Sequence, residues 1–146
     1  MAAVDDVDEL IERYHLAQGE LIKGDPEPVK KLTSHRDDVT LANPLGPPAH
    51  GWDEVAAATE RAASNFRDGE NIGFEVIERY ATPELAYAVR IERARARVGG
   101  REEMTPITLR ATMVFRPEEE GEWKVVHRHA DPITTPRPAE SVIQEE

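Results

Sequence analysis

The sequence predicts an α+β domain in which three N-terminal helices pack on a strongly bent antiparallel sheet, together forming a cone. Three observations carry this. Apolar residues recur at helical spacing in the first part of the chain. From Ile72 onward they alternate with polar residues, at the period of a strand. Helices therefore come first and strands after, which is the α+β pattern. The element that organises the rest is the last strand, WKVVHRHAD at Trp123–Asp131. It follows the alternating run 106–116 across an acidic turn containing Gly121, so the two read as a hairpin that closes the sheet.

Val4, Val7, Leu10, Ile11, Tyr14, Ala17, Gln18, Leu21 and Ile22 form one helical stripe. Asp5, Asp6, Asp8 and Glu9 suit the positive start of that helix, and Lys23-Gly24 suits its end. Asp25-Pro26 reads as a cap and first-turn proline for a short second helix that turns Val29 and Leu32 inward. Residues 39–42 are a short strand, broken by the three prolines of Asn43-Pro44-Leu45-Gly46-Pro47-Pro48. A brief return through Ala49 and His50 leads to a third helix at Trp52. Its stripe is Trp52, Val55, Thr59, Ala62, Ala63 and Phe66, and Asp68-Gly69 is expected to stop it. Ile72, Phe74, Val76 and Tyr80 then alternate along one strand. Residues 85–98 form a second, Gly99-Gly100 is a turn, and the closing hairpin follows. Residues 1–132 are expected to be one domain. The tail, 133–146, has few apolar residues and is expected to be extended or disordered.

Composition narrows the function. There is no cysteine, which excludes disulfides, thiol nucleophiles and cysteine-ligated zinc. The net charge of −11 disfavours nucleic acid and anionic membranes as partners. No apolar run approaches the roughly 20 residues of a membrane helix, and the acidic N-terminus lacks a signal core, so a cytoplasmic location is expected. No metal or cofactor is expected.

The stretches ERYHLAQGELIKGD, DVTLANPLGPPAHGWDEV and WKVVHRHAD resemble the nuclear transport factor 2-like superfamily, including its SnoaL-like and ketosteroid isomerase-like members, over roughly residues 10–132. The resemblance implies a cystatin-like cone with a pocket at its open end. In the steroid isomerases a tyrosine of the first helix is an oxyanion donor, and Tyr14 falls there. Asn43 stands where their general base is an aspartate, and Ala111 where their second donor is a protonated aspartate. An amide accepts no proton near neutral pH, so the resemblance does not carry steroid isomerisation with it. The closing strand also resembles the association domain of calcium/calmodulin-dependent protein kinase II, through Trp123, Val126, His127 and His129. That domain holds small carboxylates with arginines; Arg90 matches one, while Met113 and Ala130 occupy the other two positions.

Strand parity groups Val126, Arg128 and Ala130 on one face of the closing strand and Val125, His127 and His129 on the other. Both resemblances imply that the first set faces the pocket. The histidines are assigned to the convex face, as interface or structural residues in preference to a metal pair. The expected ligand site is therefore Tyr14, Asn43, Arg90, Met113 and Arg128 around one cavity. Arg90 would anchor an anion through a two-pronged hydrogen bond, unless Glu92, two residues on and on the same face, pairs with it. Two readings follow. One is a small-molecule pocket protein that binds a polar or anionic metabolite such as a carboxylate, with transformation of that ligand left open because no residue stands out as a general base. The other is a non-catalytic binding or assembly module. Val89, Ile91, Arg93, Arg95, Thr112, His127 and His129 on the convex face point to a homodimer.

Overall fold

The computed structural model describes residues 2–144. Helix α1 spans Ala2–Leu21, α2 Glu27–Leu32 and α3 Trp52–Ala63. The strands are β1 (Thr40–Ala42), β2 (Ala49–His50), β3 (Phe66–Ala81), β4 (Ala86–Val98), β5 (Thr105–Pro117) and β6 (Trp123–Asp131). They form one sheet in the order β2-β1-β6-β5-β4-β3. The chain is α+β, as its pattern predicts. Among the described residues no helix is long and apolar enough to cross a membrane.

The sheet is mixed rather than wholly antiparallel. The pairs β3–β4, β4–β5, β5–β6 and β1–β2 are antiparallel, but β1 runs parallel to β6. A three-residue strand has no periodicity from which its direction could be read. That direction comes from the chain's approach out of α2, where the Ser34 amide donates to the Val125 carbonyl at 2.8 Å before β1 begins.

The stripe of α1 is buried as expected. Val7, Leu10, Ile11, Tyr14 and Ala17 pack on Ala86 and Ala88 of β4, Met113 and Phe115 of β5, and Trp123 and Val125 of β6, with Val29 and Leu32 of α2. Each large aliphatic or aromatic side chain so buried contributes about 1.5–3 kcal/mol. A second cluster, Val39, Ala49, Val55 and Ala58 with Leu41 and Trp52, ties α3 to β1 and β2. Gly24 closes α1 with φ 106°, a left-handed conformation that lets the Asp25 amide reach the Glu20 carbonyl at 3.0 Å.

Four local features differ from the sequence expectation. Helix α3 ends at Ala63, so Phe66 opens β3 instead of extending the helical stripe. Asp68-Gly69 is a bulge inside β3, marked by φ 56° at Asp68 and a register shift between Arg67 and Glu70. A Cβ on Gly69 would lie 2.5 Å from the Ile22 carbonyl, so the glycine serves a close backbone approach and not a helix stop. Two further register shifts in β3 break its simple alternation: Phe74 turns inward, while Ile72 and Tyr80 are exposed. On β6 an irregularity opposite Val114 and Phe115 turns Val125 inward beside Trp123, away from the face it was expected to share with His127 and His129. The tail is exposed from residue 132 to residue 144 and makes one 3-10 turn at Ala139–Val142. Its last two residues and Met1 lie outside the described residues.

Candidate functional site

Three elements converge under α1. Tyr14 and Gln18 are one helical turn apart and share a face, aimed at the sheet. Arg90 and Glu92 are two apart on β4 and share its inner face. Arg128 comes from β6, opposite Met113, which in turn pairs with Ala88. Ala86, Ala88, Ala111 and Ala130 are all buried on this inner face, and their small side chains leave room for two guanidiniums.

Glu92 is the hub. Its carboxylate accepts from Arg90 Nε at 2.8 Å, from Arg128 Nη1 at 2.8 Å and Nη2 at 2.7 Å, and from Gln18 Nε2 at 3.2 Å. The Gln18 carbonyl oxygen accepts from Arg90 Nη2 at 2.6 Å. The Arg90 guanidinium also stacks 4.6 Å from the Phe74 ring, and Arg128 lies 5.6 Å from the Tyr14 ring. Arg90 is fully buried, and its Nη1 is the buried side-chain atom left without a partner among the described residues.

The electrostatics follow from the charge count. Two guanidiniums against one carboxylate leave one surplus positive charge among buried groups. Burial would raise the Glu92 carboxyl, but the charge and paired hydrogen bonds of Arg128, followed by those of Arg90, hold it at about 2. Burial lowers Arg90. Burial opposes the charge of Arg128 as well, but there the Glu92 carboxylate outweighs it and carries the guanidinium upward. Both stay charged, because a guanidinium starts far above neutral pH. Burial pushes Tyr14 up, so its phenol is a neutral donor.

A cavity of about 270 Å³ opens beside this cluster. Tyr14, His15, Gln18, Glu92 and Arg128 form its polar end. Leu21, Leu41, Leu45, Val55, Ile107 and Leu109 belong to its apolar wall. Glu92 is the one carboxylate in the lining among the described residues. None of the hydrogen bonds of the cluster uses the Tyr14 hydroxyl.

Of the residues expected at the site, Tyr14, Asn43 and Arg128 line this cavity, whereas Arg90 and Met113 do not. Arg90 donates to Glu92 and is absent from the lining, so of the two guanidiniums of the cluster the one at the cavity is that of Arg128. Met113 is fully buried in the main core. Asn43 is a turn residue: its Oδ1 accepts from the Leu45 amide at 2.9 Å. His127 and His129 pair with Val114 and Thr112 on the face opposite the cavity. There His127 Nδ1 lies 2.8 Å from the Thr40 hydroxyl, and His129 Nε2 lies 3.5 Å from Asp131.

Sequence reasoning missed Gln18 and His15. The signal for Gln18 was present: a polar residue on an apolar stripe, one turn from Tyr14, needs a buried partner. His15 gave none, since it lies off the stripe; it lines the cavity where Asn71 of β3 donates to its backbone carbonyl at 2.7 Å.

Comparison with known proteins agrees with this architecture. The family model for the SnoaL-like domain matches residues 7–134. No curated protein matches the chain. Among solved structures, a nuclear transport factor 2-like superfamily protein from Salmonella enterica serovar Typhimurium is similar with a TM-score of 0.76 and 18% identity, covering 93% of this chain and 94% of that one. A ketosteroid isomerase-like protein from Erwinia carotovora atroseptica gives 0.72 and 18%, covering 88% and 94%. A candidate calcium/calmodulin-dependent protein kinase type II association domain from Thiobacillus denitrificans gives 0.65 and 21%, covering 87% and 94%. At these identities the likeness is one of fold.

Proposed function

The chain belongs to the SnoaL-like domain family, and from that premise we propose that it is a small-molecule pocket protein whose ligand has an apolar body and one anionic head, best a carboxylate. The observation that carries this is the surplus positive charge of the Arg90–Glu92–Arg128 cluster at the polar end of an otherwise apolar cavity. A volume of about 270 Å³ sits at the lower edge of the roughly 300–1,000 Å³ usual for ligand pockets, which selects a small molecule. The head group would meet Arg128 and the unused Tyr14 hydroxyl. Glu92 stays ionised and occupied by its four donors, so it positions the arginines and does not exchange protons.

Calorimetry with a small arylcarboxylate and its matching alcohol tests the reading. The carboxylate is expected to bind at least about tenfold tighter, since a charge-assisted hydrogen bond contributes about 1.5–3 kcal/mol. Tyr14→Phe should weaken it about fivefold to tenfold with an unchanged melting temperature. A panel of carboxylates with no binding at millimolar concentration would sink the proposal.

We also propose that the protein is a homodimer through the outer face of the sheet. That face presents Tyr80, Tyr87, Val89, Ile91, Thr112, His127 and His129 side by side, a mixture of apolar and polar groups suited to an interface. Light scattering at tens of micromolar should give twice the 16.3 kDa chain mass, and a monomer would contradict it.

A further inference from the structure

We propose that the cavity continues past Leu45 into a second chamber with its own anion subsite at Arg61 of α3, so that the ligand is a linear molecule charged at both ends, an α,ω-dicarboxylate. This rests on the pocket reading above, which supplies the first anchor at Arg128.

A chamber of about 100 Å³ adjoins the first cavity. Leu41, Asn43, Leu45 and Ala62 line both, so the two share a wall. Leu41 of β1 pairs with Arg128 of β6. The route from the first anchor therefore crosses one strand spacing, about 4.8 Å, before it reaches α3. On α3 the residues Ala58, Arg61 and Ala62, continued by Asn65 just beyond the helix, have the spacing i, i+3, i+4 and i+7 of one helical face, and all four line the second chamber. The two alanines leave the hollow, and Arg61 and Asn65 edge it.

Charge sets the sign of the second head group. Among the described residues Arg61 is the one charged residue in this lining, in a chain whose net charge is −11. Two acids of its own helix are committed elsewhere. Glu60 accepts from Lys30 Nζ at 2.6 Å, and Glu54 accepts from the His50 amide at 3.1 Å. The end of α3 does not need the guanidinium either. Ser64 Oγ and Asn65 Nδ2 donate to the Arg61 carbonyl at 2.7 and 2.9 Å, whereas among the described residues the guanidinium itself forms no hydrogen bond or ion pair. Its forked donors are left for a carboxylate. Asn43 adds a neutral donor at the shared wall. Its Oδ1 is taken by the Leu45 amide, which leaves Nδ2 to a ligand that passes from one chamber to the other.

Calorimetry tests this with straight-chain dicarboxylates of roughly four to twelve carbons, each beside the monocarboxylate of the same length. We expect one length to bind at least about tenfold tighter than its monocarboxylate, because a second charge-assisted pair forms. The monomethyl ester of that dicarboxylate should lose the gain. Arg61→Gln should also remove it, while the monocarboxylate still binds within about twofold of its affinity for the parent. Arg61 is exposed, so the variant is expected to keep the parent melting temperature. If no dicarboxylate binds tighter than its monocarboxylate, or if the gain survives in R61Q, the proposal is overturned. In either case binding of the monocarboxylate leaves the pocket reading standing; no binding of any carboxylate by the parent removes both.

Discussion

Glu92→Gln is expected to cost about 3–5 kcal/mol, the penalty for breaking a buried ion pair from one side. Arg90 is fully buried and Arg128 is 8% exposed, so the substitution leaves two guanidiniums facing each other without a counter-charge. Glutamine also offers one acceptor oxygen where the carboxylate offers two, and these now take four hydrogen bonds. Against a total stability of about 5–15 kcal/mol for such a domain, the loss is a large fraction. Urea denaturation measures it. The contrast is the triple replacement Arg90→Met, Glu92→Leu, Arg128→Met, which should recover most of the stability, because removing all three charges leaves nothing uncompensated. An E92Q variant within about 1 kcal/mol of the parent would mean that another group neutralises the arginines.

That contrast bears on why the site was only partly legible in the sequence. The helices and long strands declare themselves by period, so α1, β4, β5 and β6 were readable almost to their ends. Arg90 and Glu92 share a face by parity alone, so their pairing could be weighed from spacing. Arg128 lies 36 residues from Glu92. Parity placed it on one face with Val126 and Ala130 and the resemblance turned that face inward, but neither showed that its fork would close on Glu92, because that depends on the register of β6 against β5. The same limit explains β3. Its apolar residues alternate in sequence, but bulges that satisfy the approach of α1 reset the alternation, and no local pattern encodes where they fall. Asn43 was open to two readings, a turn residue before a proline and a site residue, and its side chain closes the turn while the residue lines the cavity.

Stability is expected to fall in two steps as the pH is lowered, and the second step should belong to Glu92. In the unfolded chain its carboxyl titrates near 4.5, whereas in the folded protein it is held at about 2. Above 4.5 both states are ionised and the full contribution is present. Below 4.5 the unfolded chain takes up a proton that the folded protein refuses, so unfolding is favoured until the pH passes through about 2. The gap corresponds to about 3 kcal/mol. The first step lies at higher pH, because burial depresses His15 and His127 and their contribution is lost as the pH falls below 6.5. Asp38 and Asp131 are also depressed, by Arg116 and Arg110, with the same sign as Glu92. These two are surface pairs, and salt screens them. Urea unfolding from about pH 7 to about pH 2, at low and high salt, therefore separates the sources. The part of the acid limb that survives high salt should be that of Glu92, and it should vanish in the triple apolar variant. If that variant loses as much stability between pH 4.5 and about 2 as the parent does, the depressed carboxyl is not the source. The charge cluster would then be held in place by the fold without returning stability to it.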